Sequence, residues 1–184
     1  ADALLQQHLQ QEGEHLKHLA ISIWGTSTMR TGGDDVAQVL ALMGVRPRWD
    51  GPSRRMVGLE LIPESVLARP RVEVTVRISG FFRDAFPQLI GWLNEADQLV
   101  RTQQADSSQR MCAIYGSAPG AYGAGLQGLI DSGHWEDQSD LAEAFLNWSQ
   151  WDYGAVGEPL KDRTGLENRL REGEVILHNP DNRE

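Results

Sequence analysis

Between Arg71 and Asp84 the chain alternates. Val72, Val74, Val76 and Ile78 fall on one parity, and Glu73, Thr75 and Arg77 on the other. A period of two in β-branched residues fixes a strand with one dry face. Ser79-Gly80 interrupts it. Phe86, Leu89, Ile90, Leu93 and Val100 then recur at helical spacing. Asp84 is placed to cap that helix, and Pro87 suits its first turn. A strand thus hands over, through a loop carrying Arg83 and Asp84, to a helix N-terminus. In open α/β sheets ligands collect at the carboxyl ends of strands. Arg83 and Asp84 can equally serve only to cap and pair locally.

The same hand-over recurs along the chain. Leu19 to Trp24 is nearly all apolar, as a strand covered on both faces should be. It runs into the polar stretch 25–33, read as a loop, and then into a helix capped by Asp34 or Asp35. Val36, Val39, Leu40 and Met43 form that helix's buried stripe, and Gly44 ends it. Val45 to Trp49 and Met56 to Ile62 read as two further strands, and 63–67 as a helical turn. Residues 102–110 form a polar linker. Met111 to Tyr115 is a strand that enters the glycine-rich stretch 116–125, followed by a short helix ending near Gly133. Asp140 with Glu143 resembles a capping box. Leu141, Phe145 and Trp148 are expected to face inward. A helix over 160–171 leads to a final buried strand, 175–177. Strands alternating with helices imply an α/β fold: a doubly wound, parallel sheet of flavodoxin or Rossmann type. Residues 1–18, rich in Gln, Glu, His and Leu, form an N-terminal helical arm, and 19–184 form the α/β domain. His8, His15 and His18 in the arm read as a solvated face rather than a metal site.

Charge and cysteine usage narrow the function classes. There are 26 acidic and 17 basic residues, a formal charge of −9, which argues against a nucleic-acid partner. Fifteen of the bases are Arg. Arg suits bidentate capture of carboxylate or phosphate, although codon bias also enriches it. The single Cys112 excludes an internal disulfide and a multi-cysteine zinc site. Its apolar setting marks a core thiol. No apolar run reaches the length of a membrane span, and no signal peptide opens the chain, so a cytoplasmic location is expected. The chain does not open on Met and reads as a piece of a larger protein.

Glycine-rich turns at helix N-termini make anion sites. The 116–125 stretch has that character, but it lacks the Gly-Lys-Ser/Thr ending of a P-loop and the GxGxxG spacing. A tight turn explains it equally well. No Gly-x-Ser-x-Gly elbow is present. His178 and Asp181 could share a divalent cation, or His178 could simply be hydrogen-bonded at a strand end. The residues by themselves define an α/β domain with an anion-binding rim.

Four stretches, taken together, carry a resemblance. They are Trp24-Gly-Thr-Ser-Thr-Met-Arg30-Thr-Gly-Gly33; Glu60-Leu-Ile-Pro63 through Arg69-Pro-Arg-Val72 to Ser79-Gly-Phe-Phe-Arg83-Asp84; Tyr115-Gly-Ser-Ala-Pro-Gly120-Ala-Tyr122-Gly123-Ala-Gly-Leu126; and His178-Asn-Pro-Asp181-Asn-Arg183-Glu184. The chain resembles the large subunit of the ATP-dependent cobaltochelatase of aerobic cobalamin synthesis, with the H subunit of magnesium chelatase as a more distant relative. That family's subunits are far longer and carry a charged helical segment where this chain has its 102–110 linker. The resemblance implies a subunit that binds hydrogenobyrinic acid a,c-diamide and receives Co²⁺ as substrate. It implies two AAA+ partner subunits that hold ATP and Mg²⁺, in keeping with the missing P-loop. It implies substrate contacts from Trp24, Thr26, Arg30, Arg83, Asp84, Gly120, Tyr122, Gly123 and Arg183, and metal contacts from His178 and Asp181. A porphyrin-binding fragment of magnesium-chelatase type, a plain α/β ligand-binding or glycosyl-transfer domain, and a scaffold that docks the ATPase partners are the alternatives.

Overall fold

A computed structural model describes residues 1–104, 108–154 and 157–178. In chain order the elements are α1 (Asp2–Glu12), β1 (His18–Ile23), α2 (Gly25–Thr31), α3 (Asp34–Met43), β2 (Val45–Trp49), β3 (Met56–Leu61), α4 (Glu64–Leu67) and β4 (Glu73–Ile78). They continue with α5 (Gly80–Ala85), α6 (Pro87–Arg101), β5 (Cys112–Gly116), α7 (Leu126–Ser132), α8 (Gln138–Ser149), β6 (Trp151–Asp152), β7 (Leu160–Lys161), α9 (Arg163–Glu172) and β8 (Val175–His178).

Six strands form one sheet in the order β7-β6-β5-β4-β1-β8. β8, β1, β4 and β5 are mutually parallel, and the two-residue strands β6 and β7 run antiparallel at one edge. The sheet is therefore mixed, not wholly parallel. β2 and β3 do not enter it. They pair only with each other, antiparallel, as a separate hairpin. β8 is an edge strand, and Ile176 is 72% exposed, so it is not the buried strand expected from its composition.

Register sets the two faces. Ile21 lies opposite Val76, which lies opposite Ile114. With Val74, Ile78 and Cys112 they form the apolar face, covered by Val36, Val39, Leu40 and Met43 of α3 and Ile90, Leu93, Ala96 and Val100 of α6. The other parity aligns Ser22, Arg77 and Tyr115. There a smaller apolar cluster, Ala113, Tyr115 and Leu166, meets Leu146 of α8 and Leu170 of α9. Helices thus cover both faces. α1 reaches the main core through Leu5.

Several helix starts differ from expectation. The stretch 25–31 is a helix, not a loop. Thr28 donates both its N–H and its Oγ1 to the Trp24 carbonyl, and Ser27 and Thr28 are buried. Asp34 and Asp35 lie inside the first turn of α3, whose N-cap is Gly33. Asp84 does not cap the helix that starts at Pro87: it lies inside α5, and the N-cap of α6 is Phe86, without a side-chain cap. Ser79 caps the intervening α5, its Oγ accepting from Phe82 N at 3.1 Å. Asp137, not Asp140, caps α8. Leu141 and Phe145 are half-buried, but Trp148 is 40% exposed. Gly44 does end α3 in the left-handed region, with φ 73°.

Candidate functional site at the carboxyl edge of the sheet

Because β8, β1, β4 and β5 are parallel, the segments that follow them share one edge. The chain leaving β4 goes to α5 and α6 on the apolar face. The chain leaving β5 goes to α7 and α8 on the other. The carboxyl ends of β4 and β5 are where such a sheet opens a crevice.

Ser79 is the joint of this edge. Its Oγ accepts from Gly25 N at 3.2 Å as well as from Phe82 N, so one hydroxyl serves the starts of α2 and α5. Close approach makes glycine necessary here. A Cβ on Gly25 would lie 2.9 Å from Phe82 N, and one on Gly80 would lie 2.7 Å from the Ala121 carbonyl. Trp24, Gly25, Thr26, Ser79, Gly80, Phe81, Tyr122 and Gly123 line a small cleft of ≈ 160 Å³.

Arg83 binds the edge together. Nε and Nη2 form a two-pronged pair with Asp84 at 2.6 and 2.9 Å. Nη1 donates to the carbonyls of Ala118 and Ala121 at 2.8 and 3.0 Å and to Ser117 Oγ at 3.3 Å. The guanidinium is buried and lies over the Tyr122 ring, 5.4 Å from its centroid. Tyr122 Oη in turn donates to Asp84 Oδ2 at 2.5 Å. Tyr153 Oη donates to the Ser117 carbonyl at 2.5 Å. The Asp84 contact holds the Arg83 guanidinium above its ordinary pKa, and Arg83, then Tyr122, hold the Asp84 carboxyl below the usual carboxylate range. Arg83 therefore spans α5 and the 117–122 turn as a bridge.

The other expected contacts fall as follows. Trp24 follows β1 as the N-cap of α2, half-buried, with its ring edge-on to His178 at 5.8 Å. Thr26 is exposed in the first turn of α2 and Arg30 in its last. Gly120 and Gly123 take left-handed conformations in the turn, with φ 77° and 82°. Tyr122 is 59% exposed. The structure brings Trp24, Thr26, Tyr122 and Gly123 around one cleft, with Arg83 and Asp84 beside it and His178 against Trp24. Gly120 lines no part of the cleft, and neither does Arg30. Asp181 and Arg183 lie outside the described residues, so the expected His178–Asp181 metal pair does too.

Two features escaped the sequence reading. Arg77 sits 7% exposed behind the cleft, with Nη2 donating to the Gly123 carbonyl at 2.6 Å. Burial lowers its pKa. The second is at the opposite edge, where His15 is exposed as expected but His8 and His18 are half-buried and paired. His8 Nε2 is 3.3 Å from Glu174, and His18 Nδ1 is 3.3 Å from Glu73. His18, Glu73 and Glu172 bring ligand atoms within 4.8 Å of one another, a group that could hold a metal ion. Burial raises the Glu73 carboxyl, against the pull of His18 and Arg169. No sequence spacing announces this group, because its members come from β1, β4 and α9.

A mixed α/β sheet covered on both faces, with a glycine- and arginine-built crevice at its carboxyl edge, places the chain in the open-sheet α/β class. Comparison with known proteins gives the family. The CobN/Magnesium Chelatase family matches residues 1–111 and 98–184, and the chain belongs to it. It is 46% identical over 211 aligned positions to the aerobic cobaltochelatase subunit CobN of Pseudomonas aeruginosa, covering all of this chain and 17% of that protein. It is 31% identical to the H subunit of magnesium chelatase from Cereibacter sphaeroides, covering 88% of this chain and 15% of that protein. The solved catalytic subunit of cobaltochelatase from Mycobacterium tuberculosis superposes with a TM-score of 0.87 at 40% identity, over 98% of this chain and 17% of that one. The chain thus spans about a sixth of the length of these relatives. The two family matches overlap at 98–111, across the polar linker. Among the described residues no helix is long and apolar enough to cross a membrane.

Proposed function

We propose that this chain is part of the tetrapyrrole- and metal-binding large subunit of an aerobic cobaltochelatase. The intact subunit inserts Co²⁺ into hydrogenobyrinic acid a,c-diamide, while two AAA+ partners hydrolyse ATP with Mg²⁺. The observation that carries the choice of cobalt is the identity gradient, 46% to a cobaltochelatase subunit against 31% to a magnesium-chelatase H subunit. The carboxyl-edge crevice supports the substrate class. A carboxylate-rich macrocycle suits a rim of arginine, backbone N–H groups and aromatic faces. In this reading Trp24, Thr26, Tyr122 and Gly123 face the macrocycle, Arg83 and Asp84 hold the wall behind them, and His178 offers metal-ligating chemistry at the same edge, with Asp181 assigned as the second ligand by their shared motif. Arg30 and Gly120, outside this cleft, add further substrate contacts in the intact subunit, and Arg183 is assigned the same role by its motif. Metal insertion requires loss of the pyrrole protons, so a basic group must stand near the macrocycle.

The test uses the full-length subunit with both partners. Co²⁺ and hydrogenobyrinic acid a,c-diamide should give the cobalt corrinoid in an ATP-dependent reaction, and Mg²⁺ with a porphyrin should give no metalloporphyrin. The reverse preference would assign the subunit to magnesium chemistry. Binding of neither tetrapyrrole would leave a scaffold. The 184-residue chain alone should release no phosphate from ATP.

A further inference from the structure

Arg77 is the exception among the buried and half-buried arginines whose contacts are described. Arg69 Nη1 and Nη2 donate to the Leu42 and Ala41 carbonyls. Arg71 donates to the carbonyls of Met43, Gly44 and Ile62. Arg169 donates to Thr75 Oγ1 and to the carbonyls of Arg110 and Val74. Arg83 has Asp84. Among the described residues Arg77 has one hydrogen bond, to Gly123. Its Nε is buried with no acceptor among the described residues, and no carboxylate pairs with it there. Its guanidinium carbon is instead 5.8 Å from the ring centroids of both Trp24 and Phe145. Trp24 Nε1 is likewise buried without an acceptor among the described residues.

A buried cation without a counter-charge is costly, and each buried donor left unmade adds to the cost. Here two such donors belong to side chains in contact, immediately behind a cleft that Trp24 and Gly123 both line. Gly123 is shared. Its carbonyl holds Arg77, and its outer side forms the cleft wall. An anion that slipped between Trp24 and the 122–125 turn would meet a guanidinium and an indole N–H together. We propose that Arg77 and Trp24 form a carboxylate-binding site at the back of the cleft, with Arg77 Nε–H and Trp24 Nε1–H as donors. Resting on the tetrapyrrole reading above, the natural occupant is a peripheral carboxylate of the macrocycle. A single guanidinium and one indole N–H match a monoanion better than a phosphate, which offers three acceptor oxygens.

The indole N–H gives a direct readout. The chain is labelled with ¹⁵N-tryptophan, and the Trp24 resonance is assigned from its loss in Trp24→Phe. Propionate should move that resonance downfield, propionamide should not, and inorganic phosphate should move it less than propionate does. Arg77→Gln should abolish the propionate response. Arg77→Met should also abolish it while unfolding at an equal or higher temperature than wild type, since it removes an unpaired buried charge. No wild-type response to propionate, an equal response to propionamide, a preference for phosphate, or a response that survives Arg77→Gln would each overturn the site. In the full-length subunit, Arg77→Gln should weaken binding of hydrogenobyrinic acid a,c-diamide about tenfold or more, and should leave binding of its fully amidated counterpart unaffected. A chain that answers propionate while the subunit binds no tetrapyrrole keeps the carboxylate site and sinks the tetrapyrrole reading.

Discussion

The two faces of the sheet are built on opposite principles. On one, Val74, Val76, Ile78, Cys112 and Ile114 meet α3 and α6 with no polar side chain of β4 or β5 between them. On the other, Thr75, Arg77 and Tyr115 are buried as polar groups, and each must find a partner. Thr75 finds Arg169 at 2.8 Å and Tyr115 finds Asp162 at 2.8 Å. Arg77 finds, among the described residues, only a carbonyl. Glu73, at the start of the same strand and parity, pairs with His18 and receives a hydrogen bond from Gln109. The apolar face holds the fold together, and hydrophobic burial there has no directional demands. The polar face carries the directional chemistry: the unfilled donors behind the rim cleft, and the metal-capable group at the other end of the strand.

That division can be broken at several points. The largest expected effect is on the apolar face. Ile114→Ala removes a fully buried side chain and should cost about 2–5 kcal/mol in urea unfolding, with the Trp24 response to propionate unchanged in the folded fraction. If the response is lost instead, the two faces are not separable. Next comes Arg83→Lys. It keeps charge but loses the planar fork to Asp84 and the contacts to the 117–121 carbonyls, and should cost about 1–3 kcal/mol. In the full-length subunit it should also weaken tetrapyrrole binding, by loosening the turn that carries Tyr122 and Gly123. Equal binding by wild type and Arg83→Lys at two salt concentrations would show that the turn holds without the bridge. Ser79→Ala removes the acceptor for both Phe82 N and Gly25 N and should cost about 1–2 kcal/mol.

Period-two spacing made β4 legible, helical spacing made α3 legible, and continuous apolar runs made β1 and β5 legible, because these strands are buried on both faces. Three things were not legible, for separate reasons. The Gly-Thr-Ser-Thr composition of 25–28 argues against a helix, yet α2 forms because Trp24 and Ser79 tie its first turn to the sheet. β2 and β3 look like sheet strands, but Pro47 and the Arg-rich outer positions suit a two-stranded hairpin at the side. Arg77 falls on the parity that a strand with one dry face gives to solvent. Its cover, Phe145, lies 68 residues further along, and only the tertiary fold reveals it. The arginine content, read as anion capture or codon bias, is largely spent elsewhere. Arg69 and Arg71 close the carbonyl end of α3, as cations at a helix C-terminus do. Of the residues expected to contact substrate, Trp24, Thr26, Tyr122 and Gly123 line one cleft, and the motifs that contain them name them without showing that they meet. Gly120 and Arg30 stand apart from the cleft, although their motifs place them beside it.

The smallest effect is a pH limb set by Asp84. Arg83 first, and Tyr122 second, depress its folded pKa below the ordinary carboxylate value. A depressed carboxyl binds fewer protons folded than unfolded, so its contribution is complete above the unfolded pKa, near 3.9 for an Asp side chain. It is lost as the pH falls from there through the lower folded value. Asp84 has 44% of its side chain exposed, and solvent screening limits the contribution to under about 1 kcal/mol. Asp84→Asn should therefore flatten the stability profile only below about pH 4, and added salt should shrink the difference from wild type. Because the pair is local to α5, the mutation should leave the Trp24 response to propionate in place above that limb. A difference that persists unchanged at pH 7 and high salt would mean that Asp84 acts by shaping the Tyr122 turn rather than by its charge. The polar face would then depend on the bridge as a whole, and not on Arg83 alone.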